Sequence, residues 1–190
     1  YELSKGRMVD LEWAYRLDRS YSGNTLIINN EIHHRYWVRF SSEKLEARLG
    51  LQKIVFGPSQ ILRSLSWFDT IDLKDPTGQT DGVEAFRLRW FPSNSLSLWS
   101  WAIMNEKDTL SFGGRVEFST NQGEWGLTYH MDPSNPHQQV ALDYRYDGFI
   151  GFWNESTLIQ SDDLEQRMIT IGSDYTLPIA NGILIMTESM

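Results

Sequence analysis

Over residues 9–18 the chain alternates strictly. Val9, Leu11, Trp13, Tyr15 and Leu17 fall on one side of an extended backbone, and Asp10, Glu12, Ala14, Arg16 and Asp18 on the other. Period two is the strand period, because successive Cβ atoms point to opposite faces. The pattern returns over 28–40, where Ile28, Ile32, Tyr36, Val38 and Phe40 oppose Glu31, His33, Arg35 and Arg39. It returns over 45–56, with Leu45, Ala47, Leu49 and Leu51 against Glu46, Arg48 and Gln52. Phe86, Leu88 and Trp90 oppose Arg87 and Arg89, and Leu110, Phe112, Val116 and Phe118 oppose Ser111, Arg115 and Glu117. Trp125, Leu127, Tyr129 and Met131 oppose Glu124, Thr128 and His130, and Val140, Leu142, Tyr144 and Tyr146 oppose Gln139, Asp143 and Arg145. Residues 95–104, 149–159 and 166–177 are strand-like with weaker contrast, and 182–190 reads as a strand that stops without a turn. No segment carries a helical period. The expectation is an all-β chain of at least eleven strands in a single domain spanning 1–190.

Several of these runs exceed the about 5–6 residues of an ordinary strand and reach the about 9–11 that a tilted membrane-spanning strand needs. The connections are expected to sort by end. The longer ones are 19–25, 57–82, 105–109, 132–138 and 160–165, and the tight ones 41–44, 92–94, 120–123, 147–148 and 178–181. The tight set carries Asn and Gly, which supply the positive φ of hairpin turns. Long strands with sorted loops predict an antiparallel up-and-down transmembrane β-barrel, incomplete within these residues.

Composition fits this picture. Among 190 residues, 41% are hydrophobic and 13% aromatic, yet mean hydropathy is −0.41. A barrel shows lipid one face of each strand and so averages out as hydrophilic. No apolar run approaches the about 20 residues of a membrane helix. The 17 Lys+Arg against 25 Asp+Glu leave a net charge of −8, which argues against a nucleic-acid partner. There is no Cys, which excludes disulfides, thiolate metal sites and thiol nucleophiles. The first residue, Tyr1, is preceded by no leader, so a signal peptide is expected to have been removed, and the chain is expected to be part of a longer one.

Arg is more than twice as common as Lys and sits inside the strands, whereas Lys sits mostly in loops. Guanidinium forks that bridge several carboxylates suit a confined wet interior. The candidate pore-lining residues are therefore Glu12, Arg16, Glu31, Arg35, Arg39, Arg48, Arg87, Arg89, Arg115, Glu117, Asp143 and Arg145. Trp67, Phe68, Ile71 and Leu73 make 57–82 too apolar to wave freely. It is expected to pack inside the lumen or over its mouth, with Asp75-Pro76-Thr77-Gly78 as a type I turn. Folded inward, Asp69, Asp72, Asp75 and Asp81 would form a constriction facing Arg48, Arg87, Arg89 and Arg115; as a structured external loop, they would be solvated. Aromatics near strand ends (Tyr36, Trp37, Phe40, Trp90, Phe91, Trp99, Trp101, Tyr144, Tyr146, Phe149, Trp153) are expected to form interfacial girdles.

Residues 45–58 and 65–83 resemble Gram-negative outer-membrane porin-like barrels of the porin and alginate-export type. There, a strand ending in Phe-Gly precedes a long loop of Phe-Asp, Asp-Pro and Gly character and then an Arg-bearing strand, here 85–90. The resemblance implies a bacterial outer-membrane barrel with a polar lumen, lipid around it, and small solutes as its cargo. It leaves open a protein partner or homo-oligomer. The aromatic strand end usual in such barrels is missing, since Met190 stands there.

Covalent chemistry has little local support. There is no Gly-x-Ser-x-Gly elbow and no phosphate loop, and His130 with Asp132 is the one nearby His–acid pair. The Asp spacing misses the calcium-loop pattern, His33 and His34 are expected on opposite faces, and no metal or cofactor is expected. The readings are a passive or weakly selective channel, a structural barrel holding a partner, and a soluble carbohydrate-binding β-sandwich.

Overall fold

The computed structural model describes residues 2–3, 6–69, 80–105, 108–134, 137–162, 164–179 and 181–190. It is all-β. The strands are β1 (Glu2–Leu3), β2 (Arg7–Ser22), β3 (Thr25–Ser41), β4 (Leu45–Gln52), β5 (Val83–Ser93) and β6 (Leu96–Met104), then β7 (Leu110–Thr120), β8 (Gly123–Asp132), β9 (His137–Tyr146), β10 (Gly151–Ser161), β11 (Glu165–Leu177) and β12 (Ile183–Ser189). They form one up-and-down antiparallel sheet in which every neighbour in sequence is a neighbour in space. A two-sheet sandwich is thereby replaced by a single sheet. The sheet is not closed, since β12 pairs only with β11.

The alternation read from the sequence gives the sheet two unlike faces. One carries Leu11 (76% exposed), Trp13 (67%) and Ile169 (57%), together with Val38, Phe86, Val116 and Leu127, all exposed. The other buries Arg35, Arg87, Arg115, Thr128, Asp143 and Glu155, with Arg115 at 6% and Glu155 at 0%. The sheet curls around the polar face, because a segment leaving β4 on that side reaches both neighbouring and distant strands. Phe56 meets Trp101 of β6 with ring centroids 5.0 Å apart, while Gln60 N donates to Glu188 of β12 at 2.7 Å. The apolar core lies between this segment and the concave wall: Ile54, Phe56 and Leu65 with Ala85, Trp101, Ile103 and Ala141, flanked by Trp67, Phe68, Val83 and Trp99.

Three expectations about the elements change. Residues 19–25 are not a loop, because β2 and β3 stay paired as far as Ser22 and Thr25. Pairing continues where alternation fades because polar neighbours bond each other along the ribbon, as Arg19 Nε does to Asn29 Oδ1 at 3.1 Å. Strand β4 ends at Gln52 rather than near Phe56, because Ile54 and Phe56 turn into the core. Sorting of loops by end consequently rests on the 53–82 connection alone, the other turns being short at both ends.

The aromatics also divide between faces. Cross-strand register puts Tyr36, Trp90, Tyr144 and Tyr146 on the convex face, but Trp37, Phe91, Trp99, Trp101 and Trp153 on the concave one. Two convex clusters are present. Trp13, Tyr15, His33 and Tyr36 gather on β2–β3, and Phe118, Trp125, Tyr144 and Phe152 run across β7–β10 at 6.2, 4.3 and 6.3 Å.

Candidate functional site

The candidate site is the concave face and the segment folded against it. Its basic part starts from register. Arg39 of β3 lies opposite Arg48 of β4, which lies opposite Arg87 of β5. Like charges directly opposed are unfavourable, so something must offset them. Glu46 does much of this, reaching Arg87 Nη2 at 2.8 Å and Arg39 and Arg48 at 3.6 Å each. Asp10 takes Arg39 at 2.9 Å from the other side. Indole faces do the rest: Trp37 lies 4.1 Å from the Arg48 guanidinium, and Trp99 lies 3.9 Å from that of Arg89. Arg35, buried at the end of this wall, donates Nη2 to the Thr80 carbonyl at 2.9 Å.

A second charge cluster lies on β7–β9. Arg115 donates two parallel bonds to Asp143, at 2.6 and 2.9 Å, with further bonds to Glu117 at 2.7 Å and Thr128 at 2.6 Å. Glu117 also accepts from Ser97 Oγ and Trp99 Nε1. Gly126 makes room for the bidentate pair, since a Cβ there would collide with both the guanidinium and the Asp143 carboxylate. Beside the cluster is a cavity of ≈ 440 Å³, bounded by Phe56, Gly57, Arg115, Glu117, Asp143 and Arg145.

The inward segment is held by two wall carboxylates. Glu155 of β10 accepts from Ser59 N at 2.9 Å, Ser64 Oγ at 3.0 Å and Leu65 N at 3.2 Å. Glu188 of β12 accepts from the backbone N–H groups of Gln60, Ile61 and Leu62 at 2.7, 2.9 and 2.6 Å, and from Trp153 Nε1 at 3.1 Å. A chain crossing a polar face must satisfy its own N–H groups, and these carboxylates do so. Gly57 permits the entry turn at φ 79°, where a Cβ would strike the Glu155 carboxylate.

Eleven of the twelve candidate lining residues lie on the concave side. Glu12 and Arg16 are on β2, and Arg145 pairs with Asp147 at 2.9 Å. Glu31 does not join them. A bulge pairs Ala14 with Arg35 but Tyr15 with His33, so His34 is an extra residue and the faces of β3 exchange beyond it. Glu31 then faces outward opposite Leu17, as the hydrogen-bond partner of the Tyr15 hydroxyl. The candidate constriction differs too. Asp69 pairs with Arg63 of its own segment at 2.6 Å, and Asp81 is exposed near Arg35, so neither opposes Arg48, Arg87, Arg89 or Arg115. Asp72, Asp75 and the turn at 75–78 lie outside the described residues.

No family model, curated protein or solved structure matches the chain. The geometry therefore stands by itself. Among the described residues no group of three or more His, Asp or Glu is placed to hold a metal ion. His33 accepts Trp13 Nε1 at 3.4 Å on the convex face, and His130 accepts Trp101 Nε1 at 3.2 Å beneath Phe68, so both serve aromatic clusters. Glu46, Glu155 and Glu188 were not singled out from the sequence. Glu155 is hard to see there because the outward residues flanking it, Asn154 and Ser156, are polar as well.

Proposed function

We propose that this chain builds a β-barrel channel of a Gram-negative outer membrane, passing small solutes along the concave face past the inward segment. The observation that carries the reading is the inverted burial. Large apolar side chains line the outside while carboxylates and guanidiniums are enclosed. Burying one large apolar side chain is worth about 1.5–3 kcal/mol, so a convex face of Leu, Val, Ile and Phe forgoes that gain many times over in water. In hydrocarbon the same face is solvated by its like, and the enclosed charges keep each other and pore water. The long strands and the two convex aromatic clusters support this reading, as does the resemblance of 45–58 and 65–83 to porin-like barrels. Among the described residues no helix is long and apolar enough to cross a membrane.

The test is a planar-bilayer recording on the full-length protein. Discrete conductance steps are expected, and a silent bilayer at saturating protein overturns the channel. A second reading, a barrel that sheathes a partner, gains from one observation: the inward segment fills part of the concave side with a packed core. A stoichiometric partner retained in mild detergent together with a silent bilayer favours the sheath.

A further inference from the structure

The β2–β3 pair outreaches the rest of the sheet. β4 pairs only with Tyr36–Ser41 of β3 and ends at Gln52, and the chain after it turns to the concave side. Among the described residues no strand pairs with the outer edge of β3 over 25–33. These residues form, with 16–22 of β2, a two-stranded ribbon that stands about 30 Å clear of β4. Every residue from Arg19 to Glu31 is exposed, with Ile27 at 62% and Ile28 at 52%. The aromatic cluster of Trp13, Tyr15, His33 and Tyr36 marks the base of the ribbon. An isolated two-stranded ribbon is marginally stable at best in water. Edges that stay single are blunted by Lys, Pro or several charges. Residues 25–33 contain no Lys and no Pro, and Glu31 is their one charge.

We propose that this edge is an interaction surface for a second copy of the chain seated in a facing membrane, the two β3 strands joining as an antiparallel ladder. The proposal rests on the membrane reading, which places the ribbon outside the bilayer. The register follows from the edge itself. Bulges make Ile27 and His34 extra residues, so the regular stretch is 28–33. In an antiparallel two-fold pair the faces stay aligned only when the axis passes through a residue. The two axes that use most of the stretch pass through Asn30 and Glu31. Through Glu31, two carboxylates would meet. Through Asn30, Ile28 lies against Ile32 of the second copy on one face, Asn29 lies against its Glu31 on the other, and Asn30 meets itself. Arg19 Nε occupies Asn29 Oδ1 at 3.1 Å, which leaves Asn29 Nδ2 to donate to that carboxylate. The edge is thus complementary to its own copy in charge as well as in apolar contact. Antiparallel pairing points the two barrels in opposite directions, so paired copies do not share a membrane. The ribbon stands at the end of the sheet from which 53–82 leaves, and in transmembrane barrels the long connections lie outside the cell. The surface therefore joins neighbouring cells, where many weak ladders between two membranes act together.

Full-length protein reconstituted into lipid vesicles tests this. By light scattering the vesicles are expected to cluster with one another and not with protein-free vesicles. Ile28→Lys with Ile32→Lys sets like charges across the ladder and is expected to abolish clustering, as is Ile28→Glu with Ile32→Glu. Mixing the two sets of vesicles is expected to restore it, which a misfolded ribbon would not do. Both double variants are expected to conduct like the parent. Residues 1–190 contain no Cys, so Asn30→Cys introduces a single reporter on the two-fold axis. On oxidation it is expected to link two copies at least tenfold faster than Asn29→Cys, whose counterpart in the second copy is offset by two residues. Parent vesicles that do not cluster, clustering that survives both double variants, no restoration on mixing, or equal linking at 29 and 30 each overturns the proposal and leaves the channel standing. A silent bilayer overturns the channel, and cysteine linking in detergent then decides the edge pairing separately.

Discussion

Glu155 shows at one residue how this interior works. A buried carboxylate is costly unless its oxygens are filled, and here two backbone N–H groups and a hydroxyl fill them. The benefit is mutual, because the N–H groups of Ser59 and Leu65 would otherwise be buried without an acceptor. Glu155→Ala therefore orphans both, at about 1–3 kcal/mol each. Thr157 is not positioned to replace it, since its hydroxyl is engaged with Ser64. The expected outcome is a stability loss of about 2–4 kcal/mol and faster proteolytic cleavage within 57–69, read by chemical denaturation and limited digestion. Glu188 accepts three backbone bonds against two for Glu155, but from Gln60 and Ile61, which are exposed, and Leu62, which is half-buried, so water can take much of its place. Glu188→Ala should cost about 1 kcal/mol or less. Equal losses for the two variants would show that burial does not decide the strength of this anchorage.

At the scale of the strand, the convex face carries the next prediction. Val116 of β7 and Leu127 of β8 are directly opposed in the middle of long strands and point outward. If lipid covers them, Leu127→Lys places a charge in hydrocarbon and costs about 2–4 kcal/mol in vesicle refolding titrations. If water covers them, the same change stays within about 0.5 kcal/mol, as surface substitutions do. A loss under 1 kcal/mol at both 116 and 127 would remove the membrane from the reading. The faces of these strands were legible in the sequence because alternation is a local property and the contrast between Leu127 and Thr128, or Val116 and Arg115, is large. Glu31 was misplaced because the single extra residue at His34 exchanges the faces of β3, and nothing in His33-His34 announces a bulge. The outer turn of β2–β3 was misread for a related reason: backbone pairing persists past the point where side chains stop alternating. The basic wall could be read residue by residue, but the direct opposition of Arg39, Arg48 and Arg87 depends on register, and register depends on turn lengths. The anchoring of 59–65 was out of reach, because Glu155 and Glu188 lie about a hundred residues from their partners and no local pattern connects them.

For the whole molecule the unpaired edges are the decisive feature. Beyond Met8, β2 has no neighbour on its outer side among the described residues, and β12 has none beyond β11. In hydrocarbon each unpaired backbone group costs several kcal/mol, so an open edge of this length is not tolerated there. Because every pairing is antiparallel, all even-numbered strands run the same way, and β2 and β12 are parallel to each other. A direct β12–β2 ladder would be parallel, with slanted bonds unlike the rest of the sheet. Antiparallel closure instead takes an odd number of strands between them, of which β1 is one, giving a barrel with an even strand count. Hydrogen exchange on the full-length protein in lipid vesicles separates the cases. With closure, the amides of 9–15 in β2 and 184–188 in β12 that point away from their known neighbours exchange as slowly as those of β7 and β8. With an open sheet they exchange at least a hundredfold faster than the β7 amides, while amides facing β3 and β11 stay protected. Fast exchange at both edges in vesicles would mean that the sheet does not span the bilayer, since water at those edges is incompatible with a hydrocarbon surround.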